Sequence, residues 1–169
     1  RDRISMSEER VQRGSSNWQT DMCIGVALLM MVLSDYPNRK FWLYNAEAVL
    51  KAQLSVNLNP DGSWPESIRY HHAALEHFAS FAAAWKQETG EDWLVTTRLK
   101  DMFSYTIHTI TPPYTYFGGR IGTPPFGDHK LSGGTEFGIY GLSIEWMEQV
   151  DKKLADQMYQ VWKMAQYPV

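Results

Sequence analysis

The spacing of helix-breaking residues constrains this chain more than any other feature. Asp35, Pro37 and Asn38 form one break, and Asn57, Asn59, Pro60, Asp61 and Gly62 form another. The stretches between the breaks have helix length. None alternates apolar and polar residues with the period of two that a half-buried strand requires. The pattern predicts helices over 17–34, 39–56, 64–88, 92–110, 136–147 and 150–165. Ser16 with Gln19, and Ser63 with Glu66, have the spacing of capping boxes, and Pro65 falls in a first turn, where its missing N–H costs nothing. Residues 23–33 (CIGVALLMMVL) are apolar nearly all round, which predicts burial on most sides. On the third segment His71, Leu75, Phe78, Ala82 and Trp85 make a core stripe, and Gly90 is the expected left-handed stop.

Helical segments joined by short connectors predict an all-α chain of antiparallel hairpins. Such hairpins build a bundle, a solenoid or an α/α toroid. No repeat of constant length appears, which argues against a regular short-repeat solenoid. Residues 1–169 are read as one helical domain or as a piece of a larger one. The start at Arg1 rather than Met fits a piece, residues 1–14 are a polar lead-in, and residues 111–135 are a functional loop. The loop sequence TPPYTYFGGRIGTPPFGDHKLSGG holds four prolines and six glycines. Loops this long in compact domains are usually functional or disordered, and the aromatics in this one predict an ordered lid or groove wall.

Composition excludes several functions. The formal net charge is −3 and no basic run interleaves with aromatics, so nucleic acid is not an expected partner. The longest apolar run is too short to cross a bilayer. Cys23 is the only cysteine and reads as a small hydrophobe in an apolar run. His71 and His72 are adjacent and diverge on a helix, and no HExxH pattern occurs, so no metal site is expected within the segment. The glycine-rich loop follows a helix rather than a strand, which rules out a P-loop. Asp128 is expected to anchor and order the loop. Seven tryptophans and nine tyrosines supply many flat faces of the kind on which sugars stack, though such residues also build cores.

Chemistry-bearing residues crowd into DGSWPESIRYHHAAL, where Glu66, Arg69, Tyr70, His71 and His72 lie within two helical turns. A Tyr phenol becomes a base only where nearby positive charge or donors stabilise its anion. Arg69 and the two histidines are the local candidates. His71 is also a stripe residue, and periodicity alone favours a core histidine over a catalyst.

Ser16-Asn17-Trp18 opening a helix, then DGSWPESIRYHHAAL about fifty residues later, then PPFGDHK, resembles the heparinase II/III-like and alginate-lyase group of polysaccharide lyases. The resemblance covers residues 14–130. It implies part of an α/α toroid and β-elimination at a uronic acid in an acidic polysaccharide such as a glycosaminoglycan or alginate. It implies Asn17, Tyr70, His71 and His72 as catalytic residues. Asn17 would neutralise the sugar carboxylate, Tyr70 would be base and acid, and a histidine would assist. Glu66 corresponds to the family's helix-start acid. The substrate-binding candidates are Trp18, Trp64, Glu66, Arg69, Tyr114, Tyr116, Arg120 and His129. No cofactor is implied within the segment. The remaining toroid helices and a β-sandwich domain, in some members with a structural metal, would lie elsewhere in a full-length chain, which would be secreted or periplasmic. Asn17 is followed by Trp18, so the family's Asn-His pair is missing.

Two other readings compete. One is a toroid glycoside hydrolase using two carboxylates drawn from Asp61, Glu66, Asp128 and Glu136. The other is a non-catalytic helical module that binds sugar or protein through Trp64, Tyr114 and Tyr116.

Overall fold

The computed structural model describes residues 16–130 and 135–166, and the lead-in expected at 1–14 lies outside them. The described residues are all-α. The helices are α1 (Asn17–Val32), α2 (Arg39–Val56), α3 (Ile68–Thr89), α4 (Trp93–Thr96), α5 (Leu99–Ile107), α6 (Gly138–Glu148) and α7 (Lys152–Gln166). Two 3-10 turns, Thr115–Phe117 and Thr135–Phe137, and one antiparallel bridge between Tyr114 and Arg120 complete the regular structure.

Helix α3 is the hub. It packs against α1, α5 and α6, and α5 packs in turn on α7. The short connectors pair α1 with α2 and α6 with α7 as hairpins. The expected stripe is the reason for α3's position: His71, Leu75, Phe78, Ala82 and Trp85 are all buried. Around it Phe81 meets Trp93 edge-on at 4.9 Å and Trp64 meets Phe78 at 5.8 Å. Gly90 ends α3 at φ 81, its N–H bonding the Lys86 carbonyl at 2.8 Å.

Local chemistry changed three expected features of the helix ends. Helix α3 starts at Ile68 rather than at 64, because Ser63 is already occupied. Its N–H and hydroxyl both donate to the Asp61 carboxylate, at 3.0 and 2.7 Å, and it accepts from Asn59 Nδ2 at 2.8 Å. Ser67 takes over as N-cap, accepting from the Tyr70 N–H. The Ser16 capping box is also not formed: Ser16 makes no side-chain cap bond, and Gln19 Oε1 accepts from Gln53 Nε2 at 3.0 Å instead. The helix expected over 92–110 breaks into α4 and α5 at Thr97, whose backbone is extended (φ −131, ψ −177). The Thr97 hydroxyl donates to the Trp93 carbonyl and accepts from the Leu99 N–H, ending one helix and capping the next.

The burial expected around α1 holds on one face only. Ile24, Ala27 and Met30 are buried, whereas Met22, Leu29 and Val32 are 70%, 52% and 78% exposed. With Trp42 of α2, 46% exposed, they form an apolar face that no described residue covers. A hollow between the two helices, lined by Met22, Cys23, Val26, Trp42, Asn45, Ala46 and Val49, lies on this side. No described helix is long and apolar enough to cross a membrane.

The turn before α3 depends on one glycine. Gly62 has φ +87, and a Cβ there would collide with the backbone carbonyl of Asp101. Gly62→Ala is therefore expected to destabilise the chain by about 2–3 kcal/mol, through left-handed backbone strain and displacement of α5. Denaturant unfolding of the variant measures it, and an unchanged midpoint would show that the turn is not held against α5.

Candidate functional site

The first turn of α3 brings the sequence-predicted residues to one end of the molecule. Glu66 ties the start of α1 to the approach of α3. Its Oε2 accepts the Asn17 backbone N–H at 2.9 Å and the Trp64 indole N–H at 2.6 Å. A carboxylate at a helix N-terminus is favoured by the unpaired N–H groups there and by the helix dipole. Asn17 and Tyr70 thus sit on elements joined through one side chain. Asn17 and Tyr70 are both half-buried, and Trp18 beside them is 70% exposed.

The loop closes over the same helix end. The Ser67 hydroxyl donates to the Asp128 carbonyl at 3.1 Å, and the Tyr70 hydroxyl donates to Asp128 Oδ2 at 2.6 Å. Gly127, at φ +69, comes so near Ser67 that a Cβ there would lie 3.1 Å from the Ser67 Cβ. Asp128 thus anchors the loop, as its sequence setting led us to expect, and also holds the candidate catalytic phenol. Its hydrogen bond, then its charge, push the Tyr70 pKa up from the ordinary phenol value, outweighing the opposite pull of Arg69. The Asp128 contact thus favours the neutral phenol over its anion.

The two histidines are not presented to solvent. His71 is 1% exposed. Its Nδ1 accepts the Trp64 backbone N–H at 3.0 Å, so the proton sits on Nε2, which faces Thr106 Oγ1 at 3.0 Å and the Met102 carbonyl at 3.2 Å. Burial, helped by the neighbouring His72, lowers its pKa to about 3. Both nitrogens are committed, and the ring pins the turn before α3 to α5. His72 is 4% exposed, with its ring against Phe137 at 5.6 Å, and neither nitrogen has a hydrogen-bond partner among the described residues. Burial, then the nearby His129, lower its pKa to about 4. The ring of His72 therefore faces the core rather than solvent among the described residues.

The expected binding residues divide. Trp64 is 2% exposed and serves the core, so it presents no face for stacking. Glu66 is engaged in the α1 tie rather than orienting Arg69, which is exposed and has no ion pair among the described residues. Tyr114 and Tyr116 are 50% and 80% exposed, with ring centroids 6.5 Å apart. Arg120 Nε donates to the Phe117 carbonyl at 2.9 Å, and the Ile121 N–H donates to the Met164 carbonyl of α7. Among the described residues no hydrogen bond or ring contact joins this aromatic arm to Tyr70. His129 is half-buried, its Nε2 2.9 Å from Thr123 Oγ1, so it faces the loop interior rather than a sugar.

The carboxylates proposed for hydrolysis are also placed. Asp61 is fixed by the Ser63 N–H and hydroxyl, which lower its pKa. Glu136 has one carboxylate oxygen buried without a partner among the described residues. No group of three or more His, Cys, Asp or Glu among the described residues has the arrangement to hold a metal ion. Asp128 was expected as a loop anchor and as a candidate hydrolytic carboxylate, but not as the partner of the Tyr70 hydroxyl. Its only signal was the Gly-Asp pair after a Pro-rich loop, which predicts an anchor without naming what is anchored. Compared with protein-family models, curated proteins and solved structures, the chain has no match.

Proposed function

We propose that the chain is the helical part of a polysaccharide lyase that cleaves an acidic, uronate-containing glycan by β-elimination. The observation that carries this reading is the Glu66 bridge. By accepting the Asn17 N–H, it holds the start of α1 beside the helix end that bears Tyr70. An amide and a phenol on one solvent-facing end suit the two tasks of elimination. Removing the C5 proton places charge on the neighbouring carboxylate, and a neutral amide donor stabilises that charge without burying a like charge. A neutral phenol is a competent proton donor to the departing O4 oxygen. Trp18, exposed beside Asn17, offers a stacking face, and exposed Arg69 a cation for the acidic chain.

The hairpins α1–α2 and α6–α7 are read as part of an α/α toroid. The uncovered apolar face of Met22, Leu29, Val32 and Trp42 supports further helices packing there in a longer chain. A secreted or periplasmic setting, where such glycans occur, goes with this function.

Ultraviolet absorbance of an unsaturated uronate, followed on a panel of uronate glycans, tests the proposal. Appearance of the absorbance is expected. New reducing ends without it would establish hydrolysis instead, and binding without turnover would establish a sugar-binding module. Asn17→Ala is expected to lower turnover by a factor on the order of 10²–10³, as for loss of one charge-stabilising donor. Unchanged turnover in that variant would remove Asn17 from the reaction.

A further inference from the structure

We infer that Asp128 is a positioning residue that turns Tyr70 into a proton relay, taking the phenol proton as the phenol oxygen takes the proton of the sugar. The inference rests on the lyase reading and concerns how that site gets its base. It starts from the 2.6 Å bond between the Tyr70 hydroxyl and Asp128 Oδ2. The loop segment that carries Asp128 is held at Ser67, whose hydroxyl donates to the Asp128 carbonyl and against which Gly127 lies. The same bond disfavours the phenolate. A base made by ionising Tyr70 first would therefore work against its own partner. A concerted transfer does not form the phenolate at all.

The step balances. The C5–H bond breaks, its proton goes to the Tyr70 oxygen, and the Tyr70 proton moves to Asp128, which becomes a carboxylic acid. The C5 electron pair forms the C4–C5 double bond as the C4–O4 bond breaks. Tyr70 then gives a proton to O4 and recovers one from Asp128. The C5 proton has in effect moved to O4, and both side chains are restored.

The two routes differ in pH dependence. A relay through Asp128 needs a carboxylate and a phenol, so kcat should fall at acid pH, stay level through neutral and mildly alkaline pH, and fall again only where the phenol itself ionises. A pre-ionised phenolate should give a kcat that climbs steadily toward alkaline pH. In Asp128→Asn the relay is lost. Turnover at neutral pH is expected to drop on the order of 10²-fold, and the residual rate should now climb with pH. Ser67→Ala, which removes the other tether of the loop, should keep the level wild-type profile. A wild-type kcat that climbs with pH would overturn the relay. So would an Asp128→Asn profile that is merely scaled down at every pH, since that marks a structural effect.

A readout independent of turnover completes the test. The phenol carbon of Tyr70, followed by NMR through a pH titration, should titrate at lower pH in Asp128→Asn than in wild type. No shift would overturn the bond itself. Wild-type chain that makes no unsaturated uronate would overturn the lyase reading, and the relay with it, and the NMR titration separates that failure from absence of the bond.

Discussion

Acidification from neutral pH to about 5 is expected to lower the stability of this chain by about 3–4 kcal/mol through two buried histidines alone. Both have folded pKa values below the ordinary 6.5: about 3 for His71 and about 4 for His72. The sign follows from linkage. Between those values and 6.5 the unfolded chain binds protons that the folded chain refuses, so protonation favours unfolding. The contribution is fully present above 6.5, is lost as pH falls, and stops changing below about 3. The physical cause is burial in both cases. A charged His71 would also have to give up the Trp64 N–H, because protonated Nδ1 is no longer an acceptor. Denaturant midpoints measured across the range check this, and His72→Phe should remove roughly half of the slope. Equal midpoints at neutral pH and at about 5 would show that these rings are reached by protons without unfolding.

Tyr70→Phe is expected to remove elimination, a loss larger than that for Asn17→Ala, while glycan binding stays within a few-fold. The substitution keeps the ring and deletes the hydroxyl proposed to exchange a proton with the sugar. It also leaves the Asp128 carboxylate without its phenol donor, but the Ser67 hydroxyl still holds the Asp128 carbonyl, so the loop stays docked. Turnover by unsaturated-uronate absorbance, with affinity from calorimetry, separates the two effects. Near-normal turnover would remove Tyr70 from the chemistry.

Helix positions were legible because they depend on periodicity and on breakers. The stripe from His71 to Trp85 and the stop at Gly90 needed no tertiary knowledge. Boundaries were less legible where a side chain had two suitors. Ser63 looks like a cap until Asp61 and Asn59 claim its hydroxyl, and Thr97 looks like a mid-helix residue until its hydroxyl bonds to neighbouring backbone groups at the break. The site was legible in composition but not in roles. Two adjacent histidines suggest chemistry, yet whether they face solvent or core depends on how α3 meets α5 and Phe137. Asp128 lies far from Tyr70 in sequence, and nothing local in its loop points to the phenol it meets. The apolar run of α1 promised burial, but hydrophobicity states only that a surface wants a cover and not that this segment provides one.

The Asn17 amide and the Tyr70 phenol are proposed to act on a single sugar ring. A crystal structure of the Tyr70→Phe chain with a bound uronate oligosaccharide tests this most directly. One uronate is expected there, its carboxylate accepting from the Asn17 side-chain amide and its C5 facing the position of the missing hydroxyl. An oligosaccharide seated in the α1–α2 hollow or along the Tyr114–Tyr116 arm, with Asn17 and residue 70 touching no common ring, would contradict it.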